Sequence, residues 1–237
     1  MILLVLHFPT HGAEDGMTEN QEVDFIVGDH FILTVRYEVV APLHHLQKLL
    51  ETQRLVSKRV VLTTDVLLEI LFAHLYTSIH DQTNHVVNHL ARIERDMFDG
   101  SERKTILSIL QISREFLHME TVLADQEEPL GRFLTALAER NSFGASFLER
   151  TERILAERTQ IARLVETHRA IAAELRETNI ALLEARQNEI MKTLTIGNFI
   201  FLPLGLISWT FAMRTEGIPL IDSPNAFWIV LAIMLGV

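Results

Sequence analysis

Cysteine is absent from the 237-residue chain, so disulfide frameworks and thiolate metal sites are excluded. Basic residues are in short supply: 21 Lys and Arg against 31 Asp and Glu leave a formal net charge of −10. A nucleic-acid binder needs basic stripes that displace counterions, so no nucleic-acid partner is expected. An acidic surface favours cations nearby instead. A basic leader is also missing. Met1–Leu6 is apolar but is cut short by His7 and Pro9, so it reads as a buried strand and not as a signal peptide. No nucleophile–base pair, phosphate loop or zinc-protease motif occurs, which argues against an enzyme.

Apolar residues, by contrast, are in excess. Hydrophobic content is 48% and mean hydropathy +0.20, alongside 22% charged residues. The figures are compatible if the excess sits in one place, and it lies after Thr193. From Thr193 to Met213 about 21 residues carry no formal charge, enough to cross the ~30 Å hydrocarbon core of a bilayer. The polar run RTEGIPLIDSPN, with Gly217, Pro219 and Pro224, then reads as a tight extramembrane loop. AFWIVLAIMLGV is apolar again, with Trp228 at its entrance as interfacial aromatics often are. It is too short to span and reads as the start of a second span.

Upstream of the apolar run, Met1–Phe8 predicts a strand and His11–Gln21 a loop. Val23–Val27 and Phe31–Tyr37 predict a hairpin joined by Gly28-Asp29-His30, and Pro42 opens a short helix. Three strands make a poor sheet alone, so this part is expected to pair with a neighbour or to belong to a larger domain. From Asp65 the pattern is helical. A first helix ends near Gly100. A second, capped by Ser101, is expected to break at Pro129, with a shorter piece running to Arg140. Asn141-Ser142-Phe143-Gly144 is the next turn. Phe147, Ile154, Ile161, His168, Leu175 and Leu182 then recur every seven residues, a coiled-coil seam. Ala145–Met213 as one helix would be roughly 100 Å long, the length of a stalk leading into a membrane.

The run MKTLTIGNFIFLPLGLISWTFAMRTEGIPLI resembles the first transmembrane helix and outer loop of the CorA-type magnesium and cobalt transporters. The matching features are Asn188, Met191-Lys192, Leu194-Thr195, Phe201, Pro203-Leu204, Met213, Glu216 and Pro219, and SPNAFWIVLAIM is similar to the entrance of that family's second helix. The resemblance is specific from Asn188 to Pro219 and looser before that. It implies a homopentamer in a lipid bilayer, with the first transmembrane helices lining a central pore. One helix face then carries Asn188, Met191, Thr195, Asn198, Leu202 and Gly205. Asn188 and Asn198 offer amide oxygens to the water around a cation, and Met191, Leu194 and Leu202 form hydrophobic constrictions. The family signature at the outer mouth is Gly-Met-Asn, whereas this chain has Ala212-Met213-Arg214, followed by Glu216. A ring of Arg214 side chains ~10 Å apart repels by roughly 1 kcal/mol per pair.

Several residues outside the pore face are candidate metal ligands. His85 and His89 are i,i+4 neighbours and suit a zinc-type ion if a third ligand such as Asp81 converges; a solvated helix face is the commoner case. Glu177 and Glu184 are the acidic residues placed to sense a regulatory cation. His168 occupies a seam position, where a satisfied interhelical histidine is commoner than a pH sensor.

The expected fold is α+β, mainly helical. Residues 1–62 are the end of a cytoplasmic α/β domain, and 63–192 a cytoplasmic helical hairpin and coiled-coil stalk. Residues 193–213 are the first transmembrane helix, 214–225 the outer loop, and 226–237 the start of a second helix, cut short. The expected protein is multi-pass in the cell's inner membrane with a cytoplasmic N-terminus. It needs no cofactor, and a divalent cation such as magnesium is both cargo and gating ligand. The other reading, motivated by Arg214, is a scaffold or sensor that does not conduct, or a channel of altered selectivity for zinc or an anion.

Overall fold

The computed structural model describes residues 1–9, 20–37, 39–56, 62–98, 102–140, 143–144, 146–212 and 225–236. Several expected features fall outside the described residues: most of the first loop, Gly100 and Ser101, Asn141 and Ser142, and Met213, Arg214 and Glu216. The chain divides into two compact units, Met1–Asn179 and Ile180–Val237.

The first unit opens with three antiparallel strands in the order β1 (Ile2–Pro9), β2 (Asn20–Val27), β3 (Ile32–Arg36). Alternation sends Leu4, Leu6, Phe8, Val23, Phe25 and Val27 to the buried face, as the two-residue period of a strand requires. Leu3, Val5, Leu33 and Val35 lie exposed on the other face. Asn20 and Gln21, expected in the loop, instead begin β2, because they pair with Pro9 and Phe8 and so lengthen the ladder. Pro9 is tolerated there because β1 is an edge strand. Between β2 and β3 the Gly28 amide donates to the Phe31 carbonyl at 3.0 Å, and a Cβ at Gly28 would collide with the Phe31 ring. Only glycine fits that turn.

The helices are α1 (Ala41–Val56), α2 (Thr64–Phe98), α3 (Glu102–Ala138), α4 (Phe147–Ala212) and α5 (Ala226–Gly236). One expectation fails here: Pro129 does not end its helix, and α3 continues through it to Ala138. Interior proline costs a helix about 3 kcal/mol. Beyond it, however, Leu130, Phe133, Leu134 and Leu137 are all at most 4% exposed, and burying each contributes about 1.5–3 kcal/mol. Burial therefore outweighs the lost hydrogen bond.

The core lies where the sheet packs on α2 and α3 and where α4 closes the bundle. Phe25, Phe72 and Tyr76 form an aromatic column with ring separations of 5.3 and 6.2 Å. Phe147, Ile154 and Ile161 of the seven-residue seam are buried. His168, half-buried, stacks on Phe116 at 6.2 Å.

Candidate functional site

Two polar clusters hold the first unit together. At the start of α4, Arg150 pairs with Asp65 at 3.1 Å and with Glu69, and Arg153 reaches Glu69 at 2.7 Å and Glu149 at 2.9 Å. The hydrogen bond from Arg153 is the main reason that the Glu69 carboxyl lies below its usual range; burial opposes the shift and Arg150 reinforces it. Because the folded pKa is depressed, this stabilisation is present above the unfolded value, about 4.3. It is lost as pH falls through the folded one. Partial exposure limits it to about 1 kcal/mol. On going from pH 6 to pH 4, Glu69→Gln is expected to lose less thermal stability than the parent, a comparison that differential scanning fluorimetry makes directly.

Deeper in the unit, Arg158 donates from Nε and Nη2 to the Leu123 carbonyl, at 3.1 and 2.7 Å, and from Nη2 to Glu127 at 2.8 Å. Gln126 links the Tyr76 hydroxyl to the His7 carbonyl of the edge strand. Arg158 and Gln126 carry no sequence signal as anchors, because their partners lie on other elements. They fix the sheet and α4 onto α3.

The metal candidates stay dispersed. Among the described residues, no three His, Asp or Glu side chains gather to hold an ion. His85, Glu177 and Glu184 are exposed and His89 is half-buried on the helix surface.

The second unit contains the distal part of α4 and α5. An 18-residue window of α4 has mean hydropathy 1.6 and is 0% buried, so α4 is apolar and long enough to cross a membrane. Phe199, Leu202 and Trp209 are 82%, 72% and 73% exposed. Its polar side chains differ sharply in what they bond. Thr193, Thr195 and Thr210 each donate to the carbonyl four residues back, as helical hydroxyls commonly do and as Thr167 and Thr178 do earlier in α4. Ser208 contacts the Met234 sulfur of α5 at 3.8 Å. Asn198 is exposed and its amide has no partner among the described residues. Trp209 lies exposed near the end of α4, where an indole suits an interface.

At ~100° per residue, the contact of Ser208 with α5 sets a reference direction for α4. Gly197, Phe201, Leu204 and the expected pore residue Leu194 lie within about 40° of it. Ile196, Ile200 and Ile207 form a purely apolar stripe about 80–120° to one side. Asn188, Met191, Thr195, Asn198, Leu202 and Gly205 lie about 60–160° to the other. Leu194 apart, the expected pore face is thus distinct from the face that meets α5. The side chain of Ala212 lies outside the described residues, as do Met213, Arg214 and Glu216.

The family model for the CorA-like Mg2+ transporter protein matches residues 1–237. YfjQ of Bacillus subtilis is 22% identical over 94% of this chain and 69% of its own. The cobalt/magnesium transport protein CorA of Methanocaldococcus jannaschii is 22% identical over 88% of this chain and 65% of its own. The chain therefore spans about two thirds of the length of these relatives. Among solved structures, the complete CorA magnesium transporter of the same archaeon superposes with a TM-score of 0.80 at 20% identity, covering 99% of this chain and 72% of that one. At that identity the likeness establishes the fold.

Proposed function

Because the chain belongs to the CorA-like Mg2+ transporter family, we propose that copies of it assemble in a membrane around a central pore that passes magnesium, cobalt or a related divalent cation. The supporting observation is Asn198: an exposed amide without a partner among the described residues, in a span whose threonine hydroxyls fold back on the helix. A polar group in lipid is expensive unless it faces water or a partner, and a pore supplies both.

In this reading residues 193–213 are the first span, 214–225 the outer loop and 226–237 part of a second. The N-terminal unit is cytoplasmic and the membrane is the inner one. Asn188 and Asn198 present carbonyl oxygens to the hydration shell of an ion that dehydrates reluctantly. Met191 and Leu202 narrow the path and close it by dewetting, with Leu194 at the edge of that face nearest α5. The membrane potential supplies roughly 4–5 kcal/mol per divalent ion at 100 mV. A pentamer fits the family resemblance, and Glu177 and Glu184 are the carboxylates placed to sense cytoplasmic cation between subunits.

Arg214 favours a second reading, in which the outer mouth rejects divalent cations and the assembly carries zinc or an anion, or acts as a scaffold. Reconstitution of the complete protein in liposomes distinguishes the two. Magnesium, cobalt, zinc and chloride fluxes are measured for the parent and for Arg214→Asn. Magnesium or cobalt flux in the parent is expected. Absence of cation flux in both forms would overturn the channel, whereas magnesium flux only in the Asn form would establish an altered mouth.

A further inference from the structure

The core face of α4 weakens steadily toward the end of the first unit. Phe147, Ile154, Ile161 and Val165 are bulky and at most 4% exposed. They are followed by His168, half-buried, by Ala172, which is buried but small, and by half-buried Leu175. The last fully buried residue of α4 is Asn179, at 0% exposure. Both its Nδ2 and Oδ1 are buried without a hydrogen-bond partner.

A buried amide with neither donor nor acceptor satisfied is among the least favourable groups a core can hold. It gains its full hydration the moment it meets water. The α3–α4 pairing is antiparallel, as the contacts Leu123 with Arg158, Phe116 with His168 and Glu120 with Arg169 show. Asn179 therefore sits toward the start of α3, at the end of the bundle, where opening disrupts the fewest contacts.

We infer that the turns of α4 from about Ala172 to Asn179 form a release point: they detach from the bundle and reclose as a unit while the seam up to Val165 stays packed, with the stranded Asn179 amide favouring the open form. This is a conformational device of the first unit, independent of what the second unit conducts.

The absence of cysteine makes the test clean. Single cysteines replace Ala172 and Val165, both 0% exposed, in the full chain in detergent or nanodiscs, and their reaction rates with a small maleimide are compared. Ala172→Cys is expected to label at least about tenfold faster than Val165→Cys. Adding Asn179→Leu is expected to slow labelling at position 172 about tenfold and to leave position 165 unchanged. Asn179→Ala, which removes the amide without adding bulk, is expected to slow position 172 as well. Equal rates at the two positions, or failure of both substitutions to slow position 172, would overturn the release point. Because the readout is chemical access, its failure is separable from any failure of the flux experiment.

Discussion

Ile200→Lys is expected to leave little protein in the membrane, whereas Leu202→Lys is expected to insert normally and to lose at least about tenfold of its divalent-cation flux. Both side chains are well exposed on α4, at 55% and 72%, and they stand two residues apart. At ~100° per residue they point about 160° away from each other. Ile200 shares its stripe with Ile196 and Ile207, a face with no polar atom, which suits lipid. A lysine there costs about 2.5–3.5 kcal/mol at the centre of a span, enough to reduce insertion by roughly a hundredfold. Leu202 shares its face with Thr195 and Asn198, where the proposed pore supplies water and removes that penalty. The same lysine then places a ring of positive charge in the path of a divalent ion. Membrane fractionation with immunoblotting reads the first outcome and liposome flux the second. If both variants insert, or neither does, the assignment of faces fails.

Residue spacing on α4 was legible in the sequence because two independent periodicities meet there. The seam from Phe147 to Leu182 repeats every seven residues, and the span that follows carries no charge. Pro203 is the one local signal against them, and α4 is nonetheless a single 66-residue helix. Pro129 misled for the opposite reason. Its local effect is visible in any sequence, whereas the burial of Leu130, Phe133 and Leu134 that overrides it depends on helices far away in the chain. Asn20 and Gln21 were hidden similarly. Their strand conformation comes from pairing with Pro9 and Phe8, and nothing in their own side chains favours it.

The candidate site divides along the same line. The proposed pore face is a matter of angular position on one helix, so Asn188, Thr195, Asn198 and Leu202 could be grouped from spacing. That Asn198 differs from the threonines around it needed coordinates, because Thr193, Thr195 and Thr210 look equally polar until their hydroxyls are seen to fold back on the helix. His85 and His89 show the converse limit. Spacing placed them on one turn of α2, but a metal site also needs ligands from elsewhere, and no third described residue joins them. Asn179 carried no sequence signal at all, since a lone Asn in a charged stretch reads as surface.

The link between sheet and bundle leads to the second large effect. Gln126→Leu is expected to destabilise the protein by about 2–5 kcal/mol, although Leu matches Gln in size and suits a buried helix. Gln126 is 1% exposed. Its Nε2 donates to the His7 carbonyl on the free edge of β1, and its Oε1 accepts from the Tyr76 hydroxyl at 3.1 Å. Burial pushes the Tyr76 phenol far above its usual pKa, so it remains a protonated donor at every working pH. Leucine strands both partners, and each orphaned buried group costs about 1–3 kcal/mol. Tyr76→Phe alone removes one donor and leaves the bond to His7, so its effect is about 1 kcal/mol. In the double variant the stranded hydroxyl is gone and only the His7 carbonyl is orphaned. The double variant is therefore expected to be more stable than Gln126→Leu by about 1 kcal/mol, the reverse of additive behaviour. In thermal melts, Gln126→Leu should fall about 5–15 °C below the parent, with the double variant lying between them. A neutral Gln126→Leu would show that water reaches His7 and Tyr76, and that the sheet is held to the bundle by its apolar face alone.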